Sequence, residues 1–157
     1  MRRIRFIKEL ADEGKIRLIA PSKEVSVAYS KKSANSLRAG KLLLNQTLFE
    51  EATSMFYYAM YHKVLSLFFL AGIKCENHNA SIILFKELFK LDNSLLSFAK
   101  HERIDKQYYT DFIITSREVS DLLVKTESFL DSLDHFIDTL PGSQINHFRE
   151  EFRKIYL

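Results

Sequence analysis

An unbroken run of apolar and aromatic residues decides the fold: Met55-Phe56-Tyr57-Tyr58-Ala59-Met60-Tyr61. It lies within one predicted helix that covers roughly residues 47–71 and is followed by Gly72, a typical left-handed residue after a helix. The helix opens with Thr47-Leu48-Phe49-Glu50, whose threonine and glutamate have the spacing of a capping box. A helix that is apolar on every side has to be covered by several neighbours. We therefore expect it at the centre of a bundle, at a subunit interface, or both.

Two further helices are predicted on either side of the central one. Ser22 can cap a helix that ends near Asn45-Gln46, and Asn77 or Asn79 can cap a helix that continues through Phe89. A turn over residues 91–94 then precedes a short helix over residues 95–98. Residues 101–114 show no clean helical period, so we expect a loop there.

The last part of the chain contains a second capping box, Thr115-Ser116-Arg117-Glu118, at the start of a long helix. Pro141-Gly142 ends that helix, and Ser143 can cap a final one. No strand alternation or internal repeat is visible. The predicted fold is all-α, an up-and-down antiparallel bundle of four to five helices with extra terminal helices. We divide the chain into a basic N-terminal extension with a possible short helix (1–21), the bundle (22–140) and a C-terminal helix (142–157).

Length and composition indicate one globular domain. The chain has 157 residues, of which 46% are hydrophobic, and a single cysteine, Cys75, which favours a reducing compartment. The N-terminus lacks a secretory signal, and the most apolar stretch contains too many polar side chains for a membrane span. A cytoplasmic protein is expected. Residues 1–45 hold 11 Lys and Arg against 4 Asp and Glu, a balance that favours phosphate partners or simply a solvated basic face.

Several kinds of site are excluded by their missing motifs. Four scattered glycines cannot form a phosphate-binding loop, and there is no HExxH sequence or pair of cysteines for a metal. The five histidines are dispersed along the chain. The sequence therefore predicts neither a metal site nor a cofactor.

One polar segment, His101-Glu102-Arg103-Ile104-Asp105-Lys106-Gln107-Tyr108-Tyr109, stands out before a predicted helix start. Arg103 can clamp a phosphate through two N–H groups, Lys106 can add a point charge, and the helix amides can donate hydrogen bonds. The alternative is a solvated loop in which the arginine pairs with a neighbouring carboxylate.

A second candidate is His78, within Asn77-His78-Asn79, which can move a proton, bind a phosphate or simply lie in a helix cap. Tyr57, Tyr58 and Tyr61 can stack on bases, although core positions with hydroxyls at the bundle edge are the simpler interpretation.

Four segments together resemble the HEPN family. Residues 50–62, with Tyr-Tyr-Ala and a Tyr-His pair, resemble the second helix of that family, and residues 72–78 resemble its glycine-to-histidine connection. Residues 103–108 resemble the arginine-to-tyrosine segment before the last long helix, and residues 115–133 resemble that helix. The likeness is strongest to prokaryotic stand-alone members that are paired with small (MNT-type) nucleotidyltransferases.

The resemblance implies a helical bundle that is often a homodimer, a nucleotidyltransferase antitoxin as partner, and binding of RNA or a nucleotide. Many members are metal-independent ribonucleases in which four to six residues separate an arginine from a histidine. Here the corresponding positions after Arg103 are Tyr108, Tyr109 and Thr110, so the usual histidine is missing. His101 or His78 can replace it as the catalytic base, and Arg103 carries over as a phosphate-binding residue. Tyr108 and Tyr109 correspond to a region in which some toxins carry an AMP-modified tyrosine.

Three functions follow from these expectations. The first is a module that binds nucleotide, RNA or a partner nucleotidyltransferase through Arg103, Lys106, Tyr108 and Tyr109, without the usual ribonuclease site. The second is a ribonuclease toxin that uses Arg103 with His101 or His78. The third is a purely structural or protein-interaction bundle.

Overall fold

The computed structural model describes residues 1–108 and 113–157, and for residues 104–108 it describes the backbone alone. The described part contains seven helices and two short strands. Their bounds are α1 Arg2–Asp12, β1 Ile16–Leu18, α2 Lys23–Asn45, α3 Phe49–Ala71, β2 Ile73–Cys75, α4 His78–Glu87, α5 Ser94–Tyr108, α6 Ser116–Asp138 and α7 Gly142–Tyr156. The all-α prediction is confirmed.

Helix α3 is the centre of the bundle, as its sequence predicted. Fourteen of its 23 residues are buried, and the partly exposed ones, among them Met55, Tyr58 and His62, lie along one narrow stripe. Helices α2, α5, α6 and α7 all contact it. No helix in the described part of the chain combines the length and apolar content needed to cross a bilayer.

Helices α2 and α3 run antiparallel over their whole length. Small residues of α2 allow this close approach: the Ser33 hydroxyl donates to the Ala59 carbonyl at 2.6 Å, and the Ser26 and Ser66 hydroxyls are 3.0 Å apart. Further along, a Cβ placed on Gly40 would lie 2.4 Å from the buried ring of Phe56. Partners early in α2 are late in α3, which fixes the direction of the pair.

A polar contact joins α3 to the other long helix, α6. The ammonium group of Lys63, on a side chain only 7% exposed, donates at 2.5 Å to Asp134 of α6 and at 2.5 Å to the Ser30 hydroxyl of α2. A charge at this depth needs such partners, because desolvation of an unpaired ammonium is costly. The buried ammonium of Lys63 therefore links α3 to both other 23-residue helices, through the half-exposed Asp134 of α6 and Ser30 of α2.

Most predicted helix ends are confirmed. Ser22 accepts from the Val25 amide, Asn77 accepts from the Ala80 amide, and Thr115 forms the full capping box. Gly72 has φ 71°, the left-handed conformation expected after α3. The prediction for Thr47 was wrong.

Thr47 lies in the turn between α2 and α3 and has φ 60°. Its amide donates to the Leu44 carbonyl, and the Leu48 amide donates to the Leu43 carbonyl. The tight reversal thus places Thr47 one position too early to cap, and Leu48 occupies the cap position without a side-chain bond. The cap predicted for Ser143 was also wrong, because α7 already begins at Gly142, after Pro141.

The sequence did not reveal the small antiparallel sheet. Ile16 pairs with Cys75, and Leu18 pairs with Ile73. Three residues per strand are too few for a visible alternation. This sheet joins the N-terminal extension to the segment that follows α3, and Arg149 of α7 strengthens the junction by donating to the carbonyls of Ile19, Ala71 and Gly72 at 2.8–3.1 Å.

Helix α5 is longer than predicted. A loop was expected after residue 100, yet the helix continues to Tyr108. Leu96 and Ala99 are fully buried, and Arg103 continues the same face one turn later. Because Arg103 occupies a core-facing position that is usually apolar, the apolar spacing typical of a helix was not visible in this part of the sequence.

Candidate functional site

Three aromatic residues of α3 form the base of the candidate site. Tyr57 and Tyr61 lie one turn apart and are buried, whereas Tyr58 is half-buried. The rings of Tyr57 and Tyr61 stack with centroids 5.9 Å apart. The tyrosines are thus core residues, and the hydroxyls of Tyr57 and Tyr58 reach polar partners outside α3.

Arg103 lies on these rings. Its Nη1 donates to the Tyr58 hydroxyl at 2.7 Å. The guanidinium carbon is 5.1 Å from the ring centre of Tyr57 and 5.2 Å from that of Tyr58, which is cation–π distance. The Nε atom of Arg103 is buried and has no hydrogen-bond partner among the described residues. A guanidinium carries five N–H donors, so this anchored group keeps donors for a ligand.

His78 also contacts Tyr57. It is the first residue of α4, immediately after the capping residue Asn77. Its Nδ1 lies 2.8 Å from the Tyr57 hydroxyl, and its ring stacks on Tyr61 with centroids 4.0 Å apart and planes 14° apart. Tyr57 therefore connects two residues, Arg103 and His78, that the sequence singled out separately.

The hydrogen bond between Tyr57 and His78 favours one tautomer of the imidazole. A buried hydroxyl needs an acceptor, and His78 Nδ1 is the partner of the Tyr57 hydroxyl within the described part of the chain. Burial raises the pKa of Tyr57 above its ordinary value of 10.0, so the hydroxyl keeps its proton. If Tyr57 donates to Nδ1, the neutral imidazole carries its own proton on Nε2. His78 then presents a hydrogen-bond donor to a ligand.

Positive charge accumulates around this cluster. Partial burial, followed by the nearby charges of Arg103 and Lys100, lowers the pKa of His78 below 6.5. Partial burial and then Arg103 also lower the pKa of Lys100, which lies one helical turn before Arg103 and donates to the Asn79 amide oxygen. Cations that depress each other's pKa are stabilised by a bound anion. The cluster is thus electrostatically suited to phosphate.

A second histidine extends the cluster towards α2. His62 lies one turn after Tyr58, with ring centroids 5.8 Å apart, and its Nδ1 is 3.4 Å from the Ser36 hydroxyl. Partial burial, followed by the charge of Lys32, lowers the pKa of His62. Lys32 itself lies over the ring of Tyr29. Half-buried rings and a lysine therefore continue the surface beyond Arg103.

The structure separates His101 from the cluster. His101 is exposed and precedes Arg103 by two residues in α5, which rotates its side chain by about 200° around the helix axis. Arg103 itself lies within α5 and not in the loop that was predicted for it. The side chains of Lys106 and Tyr108 lie outside the described residues, as does the whole of Tyr109.

Sequence reasoning missed Lys100, Asn79 and His62 as parts of this site. Lys100 and Arg103 have the spacing of one helical turn, a signal that becomes visible only if α5 is predicted to continue past residue 100. The sequence indicated only a helix-capping role for Asn79. Tyr58 and His62 have the same spacing on α3, but five scattered histidines gave no reason to select His62.

The family model of the HEPN domain matches residues 27–136, well over half of the chain. The chain belongs to the HEPN domain family. No curated protein is similar to the chain at a significant level. The matched segment runs from the first turns of α2 into the last turn of α6 and includes every described residue of the cluster.

This HEPN domain brings an arginine and a histidine together, but from different helices. A histidine separated from the arginine by four to six residues, as the resemblance implies, is missing from the sequence. His78 instead comes from α4, and Arg103 comes from α5. Both residues contact Tyr57, so the arginine and the histidine are linked through a tertiary contact.

Proposed function

We propose that this HEPN domain binds the phosphate backbone of single-stranded RNA at the surface between Arg103 and His78. The observation that carries the proposal is the guanidinium of Arg103, which Tyr58 holds over two tyrosine rings through a single Nη1 donor, so that further Nη donors are left for a ligand. An anchored guanidinium loses little freedom on binding, and planar N–H donors match phosphate oxygens. The Nε2–H of His78 supplies a second donor.

Neighbouring side chains suit the rest of a nucleotide. Tyr58 and His62 are half-buried rings beside Arg103, and RNA bases that are not paired stack on such rings. Lys100 and Lys32 add charge at the two ends of the cluster. Binding therefore combines phosphate contacts with stacking, and neither of these two contacts selects a particular base.

The experiment is a fluorescence-polarisation titration with labelled hexauridylate at fixed salt. Arg103→Ala should weaken binding at least tenfold, because it removes a charge-assisted contact worth about 1.5–3 kcal/mol. Arg5→Ala is the matched control, since Arg5 is an exposed arginine on α1 that pairs with Glu9. Equal affinities for the wild type and Arg103→Ala would contradict the proposal. A separate titration with AMP asks whether a free nucleotide suffices.

A second function, metal-independent RNA cleavage, is favoured by the contact of both Arg103 and His78 with Tyr57. Cleavage requires His78 to accept the 2′-hydroxyl proton at Nε2, which means the opposite tautomer. Incubation of RNA with the protein in EDTA tests it. Cleavage that is lost in His78→Ala and retained in His101→Ala would establish this function, because His101 lies away from the cluster.

Other expectations stay predictions. A homodimer, a nucleotidyltransferase partner and a cytoplasmic location rest on the resemblance and on composition. If the protein has only a structural or protein-interaction role, Arg103→Ala should not change RNA affinity. The function of the chain would then lie in a complex with another protein.

A further inference from the structure

A pocket of about 440 Å³ opens on the other side of Arg103. It lies between the end of α2, the first turns of α3 and the middle of α5. Its lining residues are Leu43, Glu50, Glu51, Ser54, Met55 and Arg103. The volume falls in the usual range of small-ligand pockets, roughly 300–1,000 Å³. Arg103 thus borders both the phosphate-binding cluster and this pocket.

The lining of the pocket differs from that of the cluster. Leu43 and Met55 are half-buried and offer apolar walls. Glu50 and Glu51 are exposed carboxylates, and neither takes part in an ion pair in the described part of the chain. Ionised carboxylates only accept hydrogen bonds and repel phosphate. The pocket therefore suits a flat group with apolar faces and N–H donors along one edge.

We propose that this pocket binds the guanine base of the nucleotide whose phosphate contacts Arg103; this inference rests on the RNA-binding function proposed above. Guanine presents two adjacent donors, N1–H and the 2-amino group, to the two oxygens of one carboxylate. Adenine and cytosine each present an amino donor next to an acceptor nitrogen, and uracil presents one N–H between two carbonyls. Carboxylates therefore favour guanine over the other three bases.

Charge separation strengthens the assignment. The cluster side of Arg103 contains Lys100 and His78, whose pKa values are lowered first by partial burial and then by neighbouring positive charge. The pocket side contains two carboxylates. A nucleotide has the same division, with a negative phosphate and a base edge that can donate. Arg103 lies at the boundary, where the ribose would connect the two parts.

A competing explanation concerns helix stability alone. Glu50 and Glu51 occupy the first turn of α3, where negative side chains interact favourably with the helix dipole. That role needs no ligand and no discrimination between bases. Glu24 likewise lies in the first turn of its helix, α2, but it does not line the pocket, which makes it a matched control.

The test compares two labelled RNA hexamers, UUGUUU and UUIUUU, which differ only in the 2-amino group of guanine. Wild-type protein should bind the guanine hexamer about tenfold more tightly, as expected for one charge-assisted hydrogen bond from the 2-amino group to a carboxylate. The double variant Glu50→Gln/Glu51→Gln should bind the two hexamers with nearly equal affinity. Glu24→Gln should keep the tenfold ratio. Thermal unfolding of each variant verifies the fold.

The outcomes separate the two proposals. In one outcome, the wild type binds both hexamers with equal affinity while Arg103→Ala binds both more weakly. That result overturns the guanine pocket and leaves the RNA-binding function intact. A ratio that survives in the double glutamine variant also overturns the pocket. Absence of binding to either hexamer, or binding that Arg103→Ala does not change, overturns the RNA-binding function and the pocket with it.

Discussion

Two groups of rings pack against different parts of α3, and they differ in their polar atoms. Towards the C-terminal end, Phe68 stacks on Phe89 at 5.2 Å, and Phe89 meets Phe148 edge-on at 4.7 Å. In the middle, Tyr61 stacks on His78 at 4.0 Å and on Tyr57 at 5.9 Å. Ring packing is similar in both groups. The phenylalanine group gains only burial, whereas the tyrosine group keeps hydroxyls and ring nitrogens in fixed orientations.

The comparison indicates how this small bundle divides stability from function. The phenylalanines join α3 to α4 and α7, and apolar contacts suffice there. Burial of the tyrosine hydroxyls costs free energy unless each hydroxyl has a hydrogen-bond partner. Here the partners are Arg103 and His78, so the hydrogen bonds also hold these two side chains in fixed orientations.

The largest effect should come from Phe68→Ala. Phe68 is fully buried, and truncation of such a ring costs about 3–5 kcal/mol of unfolding free energy. Urea denaturation measures it, with the half-exposed Phe98→Ala as the control, expected to cost clearly less. The folded fraction of Phe68→Ala should bind RNA as the wild type does. A loss of affinity equal to that of Arg103→Ala would mean that the two ring groups are not independent.

Tyr57→Phe should give a smaller loss of stability and a larger loss of function. The ring stays, but the hydroxyl that donates to His78 is removed, at a cost of about 1 kcal/mol. Without that donor, the ¹⁵N NMR signals of His78 should show a shift away from the Nε2–H tautomer, and RNA binding should weaken. Tyr156→Phe, at the phenylalanine end, should leave both unchanged. An unaltered tautomer in Tyr57→Phe would refute the assigned hydrogen bond.

The pH dependence of stability should come from the tyrosine group. His78 and His62 have folded-state pKa values below 6.5, mainly because of burial. As pH falls below 6.5, the unfolded chain takes up protons at these positions before the folded protein does, so the unfolding free energy decreases. Urea titrations at pH 7.5 and 5.5 measure the change. His78→Gln should reduce it and His101→Gln should not.

The smallest effect is a change in the pKa of His78 when RNA binds. A phosphodiester placed between His78 and Arg103 favours the imidazolium, so the pKa should rise and binding should tighten as pH falls. A dinucleoside monophosphate is the right ligand, because its phosphate does not titrate near neutral pH. NMR titration of His78 with and without this ligand gives the shift. A pKa that stays constant would place the phosphate elsewhere.

The sequence predicted the skeleton of the molecule and only parts of the site. The apolar run in α3, Gly72 after it, and the caps at Ser22 and Thr115 are local signals, and each was confirmed. The continuation of α5 was missed because Arg103 occupies an inward position usually filled by an apolar residue. Arg103 and His78 were both selected, but their meeting at Tyr57 depends on packing between three helices, which no local pattern contains.

Arg149 links both terminal segments of the chain to the helical bundle. Its guanidinium bonds to carbonyls next to β1 and at the end of α3, so α7, the N-terminal extension and the bundle meet at one point. The buried side chains of Ile7, Ile16 and Phe152 lie outside residues 27–136. A protein trimmed to the segment shared with the family would therefore expose apolar surface at that end and aggregate. The packed unit of the structure is larger than the segment that the family model matches.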